Sequence, residues 1–141
     1  MARIYPGLPH WMDRKDAEAL PWMAGFKRTT WPTVIVWVQS GIIHRRFYWL
    51  RIPDGAAVKA GQRITARVEG NAIRLEGEVP ARSELRLVDG LVDLDRPVTV
   101  TVNGRQVHAG PVPRRAEAMR RCLEERADPE AVATACLVLP E

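Results

Sequence analysis

Short apolar segments separated by turn dipeptides fill the sequence from about residue 32 to about residue 112, and this pattern is the strongest constraint on the fold. Val98, Val100 and Val102 alternate with threonines and are followed directly by Asn103 and Gly104. A two-residue type I′ turn needs positive φ at both central positions, which asparagine and glycine tolerate best. We therefore predict a β-hairpin centred on Asn103 and Gly104.

A second hairpin is predicted around Gly70 and Asn71, because Ile64, Ala66 and Val68 alternate with polar residues just before this turn signal. Across the whole segment the pattern offers about six or seven short strands at intervals of roughly 8–12 residues. We predict a mainly β fold: an antiparallel β-sandwich of the immunoglobulin or fibronectin type III kind, with an N-terminal and a C-terminal helix.

If the segment TVIVWVQS forms a strand, apolar side chains lie on both of its faces, and many of them are β-branched. Strands that are covered on both faces have such continuous apolar runs. The segment is therefore predicted to form a central strand.

Helices are predicted at both ends of the sandwich. Asp13 opens the helix-forming stretch DRKDAEAL as a candidate N-cap, and Pro21 is expected to bend or end that helix. Pro113 precedes RRAEAMRRCLEER, whose apolar stripe is expected to lie on the sandwich or on a neighbouring chain, and ACLVL then predicts a closing strand. The stripe consists of Ala116, Met119 and Leu123.

The N-terminal stretch carries more bulky apolar residues than a small exposed helix usually does. We expect this stretch to bury itself against a partner surface, and we divide the single compact globule into residues 1–31 and residues 32–141. The bulky residues are Trp11, Leu20, Trp22, Met23 and Phe26.

The composition excludes several classes of protein. The chain has 141 residues, 46% hydrophobic and 27% charged, which suits one globular core and does not suit a disordered chain. No apolar run exceeds the five residues Val34–Val38, and the N-terminus lacks an apolar signal region, so we expect neither a membrane segment nor an export signal. The net charge of +4 comes from arginines spread along the chain, which argues against a nucleic-acid partner.

The histidines are the first candidates for catalysis or metal binding. His10 lies in a loop just before Asp13, where a scaffold often displays a working side chain. His44 and His108 are candidate metal ligands, with a structural or solvated role as the simpler interpretation. No histidine spacing typical of zinc is present, so a zinc site would need ligands from separate elements.

An acidic turn is a second candidate metal site. Asp89, Asp93 and Asp95 supply the oxygen ligands that a hard cation such as Ca²⁺ prefers. The segment lacks an EF-hand loop with its closing glutamate, so solvated turn carboxylates are the alternative interpretation.

No side chain has the sequence context of a catalytic nucleophile. The candidates Ser40, Ser83, Cys122 and Cys136 do not lie in a G-x-S-x-G motif. The two thiols are predicted to be reduced and packed near the C-terminal helix.

Several aromatic residues suit either a stacking platform for sugars or bases, or the core of the sandwich. These residues are Trp31, Trp37, Phe47, Tyr48 and Trp49.

His10, Trp11 and Met12, followed closely by RKDAEALPWM, resemble the C-terminal end of bacterial α/β-hydrolase-fold proteins of the dienelactone hydrolase and prolyl-oligopeptidase-like type. The resemblance continues through HRRFYWLRIPDGA, DLDRPVTVTVNG and LEERADPE. In that family a Gly-His-Trp-Met loop presents the triad histidine, so the resemblance implies a catalytic role for His10 and an appended β-sandwich behind the last hydrolase helix. Pro9 stands here in place of the glycine, which changes the backbone freedom before His10.

The order of the triad in this fold is serine, acid, histidine, so the resemblance implies that the chain carries only the last member. We therefore expect a non-catalytic C-terminal β-sandwich domain that serves packing, oligomerisation or substrate presentation, with no cofactor. The expected partners are a second copy of the chain or a hydrolase catalytic domain, with no nucleic acid and no membrane.

Two alternatives stay open. The first is an autonomous small hydrolase of esters or lactones, in which a divalent Ca or Zn ion, held by His10 with other histidines and carboxylates, activates water. The second is a ligand-binding sandwich that uses exposed tryptophans. The sequence leaves open whether the chain is an enzyme.

Overall fold

The computed structural model describes residues 6–10 and 12–141. Within those ranges the chain forms two α-helices, two 3₁₀ segments and nine strands. The helices are α1 (Ala19–Ala24) and α2 (Ala116–Arg126), and the 3₁₀ segments are Met12–Glu18 and Pro129–Ala131. The strands are β1 (Val34–Val38), β2 (Arg46–Phe47), β3 (Leu50–Arg51), β4 (Arg63–Glu69), β5 (Ala72–Gly77), β6 (Glu84–Leu87), β7 (Val98–Val102), β8 (Arg105–Gly110) and β9 (Ala135–Val138).

The strands form two sheets around one core. One sheet has the order β1-β4-β5-β7-β8 and the other has the order β2-β3-β6-β9. Ile35 and Ile73 from the first sheet and Leu85 and Leu87 from the second belong to the same buried cluster, with Trp49 fully enclosed between them. The prediction of a mainly β sandwich with a helix near each end is therefore confirmed.

Both predicted hairpins are present. Gly70 and Asn71 connect the antiparallel strands β4 and β5, and Gly70 has a φ of 56°. Asn103 and Gly104 connect β7 and β8 with φ values of 48° and 80°, as a type I′ turn requires.

One strand pair departs from the predicted antiparallel arrangement. Among the described residues, six of the seven strand pairs are antiparallel, whereas β5 and β7 run parallel. The reason is that β6, which lies between them along the chain, belongs to the other sheet. The chain crosses to that sheet and returns in the same direction, and such a crossover is what parallel neighbours need.

The prediction that TVIVWVQS forms a central strand covered on both faces is wrong. β1 lies at an edge of the five-stranded sheet and pairs only with β4 in the part of the chain that the structure describes. Ile35 and Trp37 are buried, while Val34, Val36 and Val38 are exposed. Apolar residues on both faces of a strand therefore do not mean here that both faces are covered.

The N-terminal helix begins later than predicted. Asp13 has a φ of 48° inside the 3₁₀ segment, and no side chain caps α1 at its N-cap residue, Glu18. The expectation that Pro21 ends the helix is wrong, because Pro21 lies in the first turn of α1, where its missing N–H has no helical acceptor to lose. Trp11 lies outside the described residues.

The apolar stripe of α2 does not lie on the sandwich, and the other predicted position, on a neighbouring chain, stays a prediction. Ala118 and Cys122 are buried, whereas Ala116, Met119 and Leu123 are exposed. The predicted closing strand is confirmed, because β9 pairs antiparallel with β6. α2 thus covers the outer face of the four-stranded sheet through a face that the apolar stripe did not mark.

Candidate functional site

The candidate histidines lie on three different parts of the chain. His10 is exposed in a turn before the first 3₁₀ segment, and His44 is exposed in the loop between β1 and β2. His108 lies half-buried on β8 with its Nε2 atom 3.2 Å from the carbonyl oxygen of Gly110. Within residues 6–10 and 12–141, no group of three or more His, Cys, Asp or Glu side chains is positioned to hold a metal ion.

The backbone of His44 has a structural role. Its N–H donates to Oε1 of Gln39 at 3.0 Å, and its carbonyl accepts from Nε2 of Gln39 at 2.7 Å. Gln39 is buried, so these two bonds satisfy its amide while they fix the loop after β1.

The acidic turn is occupied by an arginine. Arg114 donates to both carboxylate oxygens of Asp89, and its Nη1 lies 2.6 Å from Oδ1 of Asp95. Oδ1 of Asp93 accepts the backbone N–H of Asp95 at 3.0 Å. Hydrogen bonds from Arg114 are the main reason that the pKa of Asp89 and that of Asp95 lie below their usual value. Asp89 and Asp95 therefore brace the turn to the segment before α2, whereas Asp93 makes its bond within the turn.

The Cys136 thiol is unsuited to nucleophilic chemistry. Burial and then the charge of Glu84 raise its pKa to about 11, and a contact from Arg121 only partly offsets this. Nη2 of Arg121 lies 3.3 Å from its Sγ atom. A thiol with this pKa stays protonated near neutral pH, whereas attack requires the thiolate. Cys122 is buried in α2, and both cysteines are free, as predicted.

The tryptophans of the sandwich do not form an exposed platform. Trp37 and Trp49 are buried, and Phe47 stacks on Trp37 with ring centroids 5.7 Å apart. Trp31 is half-buried and donates its indole N–H to the carbonyl of Glu130 at 3.1 Å. Stacking of a sugar or base on Trp37 or Trp49 would need these rings at the surface, so the structure favours the core interpretation for both.

An ion-pair network, the α2 network, joins α2 to the outer face of the four-stranded sheet. On β6, Arg86 donates through Nε to Glu84 at 2.8 Å and through Nη2 to Glu125 of α2 at 2.7 Å. Arg121 of α2 donates to Glu84 at 2.8 Å, and Arg46 donates to Glu125 at 2.9 Å. Glu84 and Arg86 are buried, and Nη1 of Arg86 has no acceptor among the described residues. This network holds the helix in place, and sequence analysis missed it because a charged residue at alternate strand positions usually faces water.

The most conspicuous surface feature is an apolar patch on and just after α1. We call it the α1 patch and define it as Leu20, Trp22, Met23 and Phe26. Each of these side chains is more than half exposed. The rings of Trp22 and Phe26 meet edge to face with their centroids 4.6 Å apart, so the two aromatics present one continuous surface. Among the described residues no neighbour covers these four side chains, so the expectation that this stretch buries itself against a partner surface stays a prediction.

The segment that follows the α1 patch is fixed to the C-terminal part of the chain. Arg28 donates to Asp128 at 2.6 Å and to Glu130 at 3.1 Å. With the bond between Trp31 and Glu130, these contacts hold residues 28–31 against the second 3₁₀ segment. The α1 patch is therefore displayed next to an anchored piece of backbone.

Comparisons with protein-family models, with curated proteins and with solved structures find no match. In the part of the chain that the structure describes, no helix has the length and apolarity needed to cross a membrane.

Proposed function

We propose that this chain is a non-catalytic β-sandwich interaction domain that packs through the α1 patch against a partner domain. In keeping with the resemblance of the sequence, the proposed partner is a catalytic domain of α/β-hydrolase type, and the immunoglobulin- or fibronectin-like character of the sandwich is part of the proposal. The observation that carries the proposal is the exposure of the four large side chains of the α1 patch.

While they remain in contact with water, the side chains of the α1 patch leave a favourable free energy of burial unrealised. Burying a large apolar side chain stabilises a protein by about 1.5–3 kcal/mol, so four exposed ones leave a substantial unused driving force. Contiguous exposed apolar patches on soluble proteins commonly mark interaction sites. The sandwich does not need the α1 patch for its own core, because the core cluster is built without any residue of α1.

No observation on the described residues specifically favours the alternative function, which is an ester or lactone hydrolase with metal-assisted water activation. His10 is exposed, and His44 and His108 lie on separate elements. Asp89 and Asp95 already bind Arg114. Assays decide between the two functions.

The proposal predicts that the double variant Trp22→Ser, Phe26→Ser keeps the melting temperature of the wild type, because the α1 patch stabilises no part of the isolated fold. Binding of the fluorescent dye anilinonaphthalene sulfonate is expected to fall, because the dye senses exposed apolar surface. Ile42→Ser is the matched control, since Ile42 is exposed outside the α1 patch. It is expected to leave both the melting temperature and most of the dye binding unchanged.

Two results would overturn the proposal. A melting temperature several degrees lower in the double variant, but not in Ile42→Ser, would show that the α1 patch packs onto its own sandwich. Hydrolysis of a small ester or lactone that requires His10, tested with His10→Ala, with chelator and with added zinc or calcium, would establish the alternative function.

A further inference from the structure

Among residues 6–10 and 12–141, the outer edge of β1 carries backbone groups that no other strand pairs. β1 pairs with β4 so that the carbonyl of Thr33 accepts the N–H of Val68 at 2.8 Å, and the N–H of Gln39 donates to Gln62 at 2.9 Å. In an antiparallel pair, every second residue of a strand directs its N–H and C=O groups toward the paired strand, and the residues between them direct theirs to the opposite side. The odd-numbered residues 33–39 therefore face β4. The even-numbered residues Val34, Val36 and Val38 direct their backbone groups toward the open edge of the sheet.

The same three valines also present their side chains to solvent. Each is about half exposed on the outer face of the five-stranded sheet. Natural edge strands are usually protected by charges, prolines or bulges. The residues of β1 include no charge and no proline, and the β1–β4 register is regular. β1 thus has the properties of a strand that pairs with another strand.

We infer that β1 pairs with β1 of a second copy of this chain, antiparallel and with the twofold axis at Val36. In this register Val36 lies opposite Val36 of the second copy, and Val34 lies opposite Val38. Every outward-facing side chain along the edge then meets a valine, and every outward-facing N–H and C=O group gains a partner. The two five-stranded sheets become one continuous sheet, which is strand addition between identical chains.

The charges beside β1 are compatible with a second copy. Arg67 lies opposite Val34 and Arg63 lies opposite Val38, both on β4. In the paired arrangement the β4 strands of the two copies are three strand spacings apart, which is about 14 Å. That separation exceeds the screening length of about 8 Å at physiological salt, so the arginines of the two copies repel each other weakly.

A strand pair buries less surface than a permanent dimer needs, so the association is reversible and depends on concentration. The 141-residue chain is expected to sediment near 15.9 kDa when dilute and to approach twice that mass when concentrated. Val36→Lys is expected to stay monomeric at all concentrations, because it places two charges at the axis. Val36→Thr keeps the β-branched shape and the backbone pairing, so it is expected to dimerise, as is the control Ile42→Lys outside the strand.

Cysteine cross-linking tests the register. Residues paired through backbone hydrogen bonds have Cα atoms about 5.5 Å apart, which a disulfide spans. Val36→Cys is therefore expected to cross-link two chains under mild oxidation. Val34→Cys is not expected to cross-link, because position 34 of one copy lies about 14 Å along the strand from position 34 of the second copy. The wild type controls for the native thiols Cys122 and Cys136.

The inference uses β1 alone, so its failure differs from failure of the proposed function. A monomer at every concentration overturns it, and binding of an acidic extended peptide to the wild type but not to Val36→Lys would then identify a different occupant of the edge. A dimer that survives Val36→Lys but is lost in Trp22→Ser, Phe26→Ser also overturns it, while the α1 patch remains the interaction site. Cross-linking through Val34→Cys but not Val36→Cys excludes the register.

Discussion

The helices α1 and α2 differ in a way that apolarity alone would not suggest. α2 is fixed to the four-stranded sheet through charged side chains, with Glu84 and Arg86 buried beneath it. α1 carries the more apolar sequence, yet none of its residues is buried. The helix with only two small buried side chains and several ion pairs is the integrated one, and the helix with the large apolar side chains remains exposed. Burial in this fold is therefore decided by the surface that lies opposite each helix.

The α2 side of this comparison depends on complementary partners. A buried charge is costly unless it is paired and hydrogen-bonded. Arg86 meets that condition through Glu84 on its own strand and Glu125 on the helix. The α1 patch has no such complement among the described parts of the chain. The difference explains why α2 is integrated into the fold while the α1 patch remains exposed.

The largest effect is expected from breaking the α2 network. Arg86→Ala should lower the free energy of unfolding by about 3–5 kcal/mol, because it removes one of the two arginine partners of the buried Glu84 and also the bond to Glu125. Urea unfolding followed by circular dichroism measures the loss. Arg120→Ala is the matched control on α2, where an exposed pair with Glu124 at 3.9 Å should contribute less than about 0.5 kcal/mol. A loss in Arg86→Ala as small as in the control would mean that water reaches the network and that the contrast with α1 does not hold.

The sequence predicted those features that depend on local backbone chemistry. The Asn103 and Gly104 hairpin, the alternation in β4 and the closing strand β9 all follow from turn preference and period-two patterning. It could not predict which elements lie opposite each other. The edge position of β1 depends on the sheet order, although Pro32 just before it is a residue type favoured at edges.

The candidate site was harder to predict for the same reason. Arg114 is twenty-five residues from Asp89 along the chain, so local spacing gave no sign that it occupies the acidic turn. Arg86 and Glu125 are thirty-nine residues apart. Only the α1 patch, whose members are close in sequence, was visible in advance as a group of bulky residues.

An intermediate effect is expected from the acid response of Glu125. Burial alone would raise the pKa of this carboxyl, but hydrogen bonds and charge from Arg86 and then Arg46 hold it below its ordinary value of 4.5. A carboxyl with a lowered folded pKa stabilises the fold fully above its unfolded pKa, and this contribution is lost as pH falls through the folded value. Glu125→Gln should therefore cost about 1.5 kcal/mol at pH 7 and lose less stability than the wild type on acidification below pH 4.5. Urea unfolding at pH 7 and at a pH below 4.5 measures the difference. If the free energies of unfolding of the two proteins fell in parallel with pH, this prediction would be contradicted.

The smallest effect is expected at Leu123, and it tests which face of α2 contacts the sheet. Leu123 is exposed beside the buried Cys122, so Leu123→Gln should change the free energy of unfolding by less than about 0.5 kcal/mol. Leucine and glutamine have similar helix propensities, so the substitution reports packing. Ala118→Gln is the positive control, because a larger side chain at this buried position should cost about 1–3 kcal/mol. If Leu123→Gln instead costs several kcal/mol, the apolar stripe is the contact face after all, and charged contacts are not what distinguishes α2 from α1.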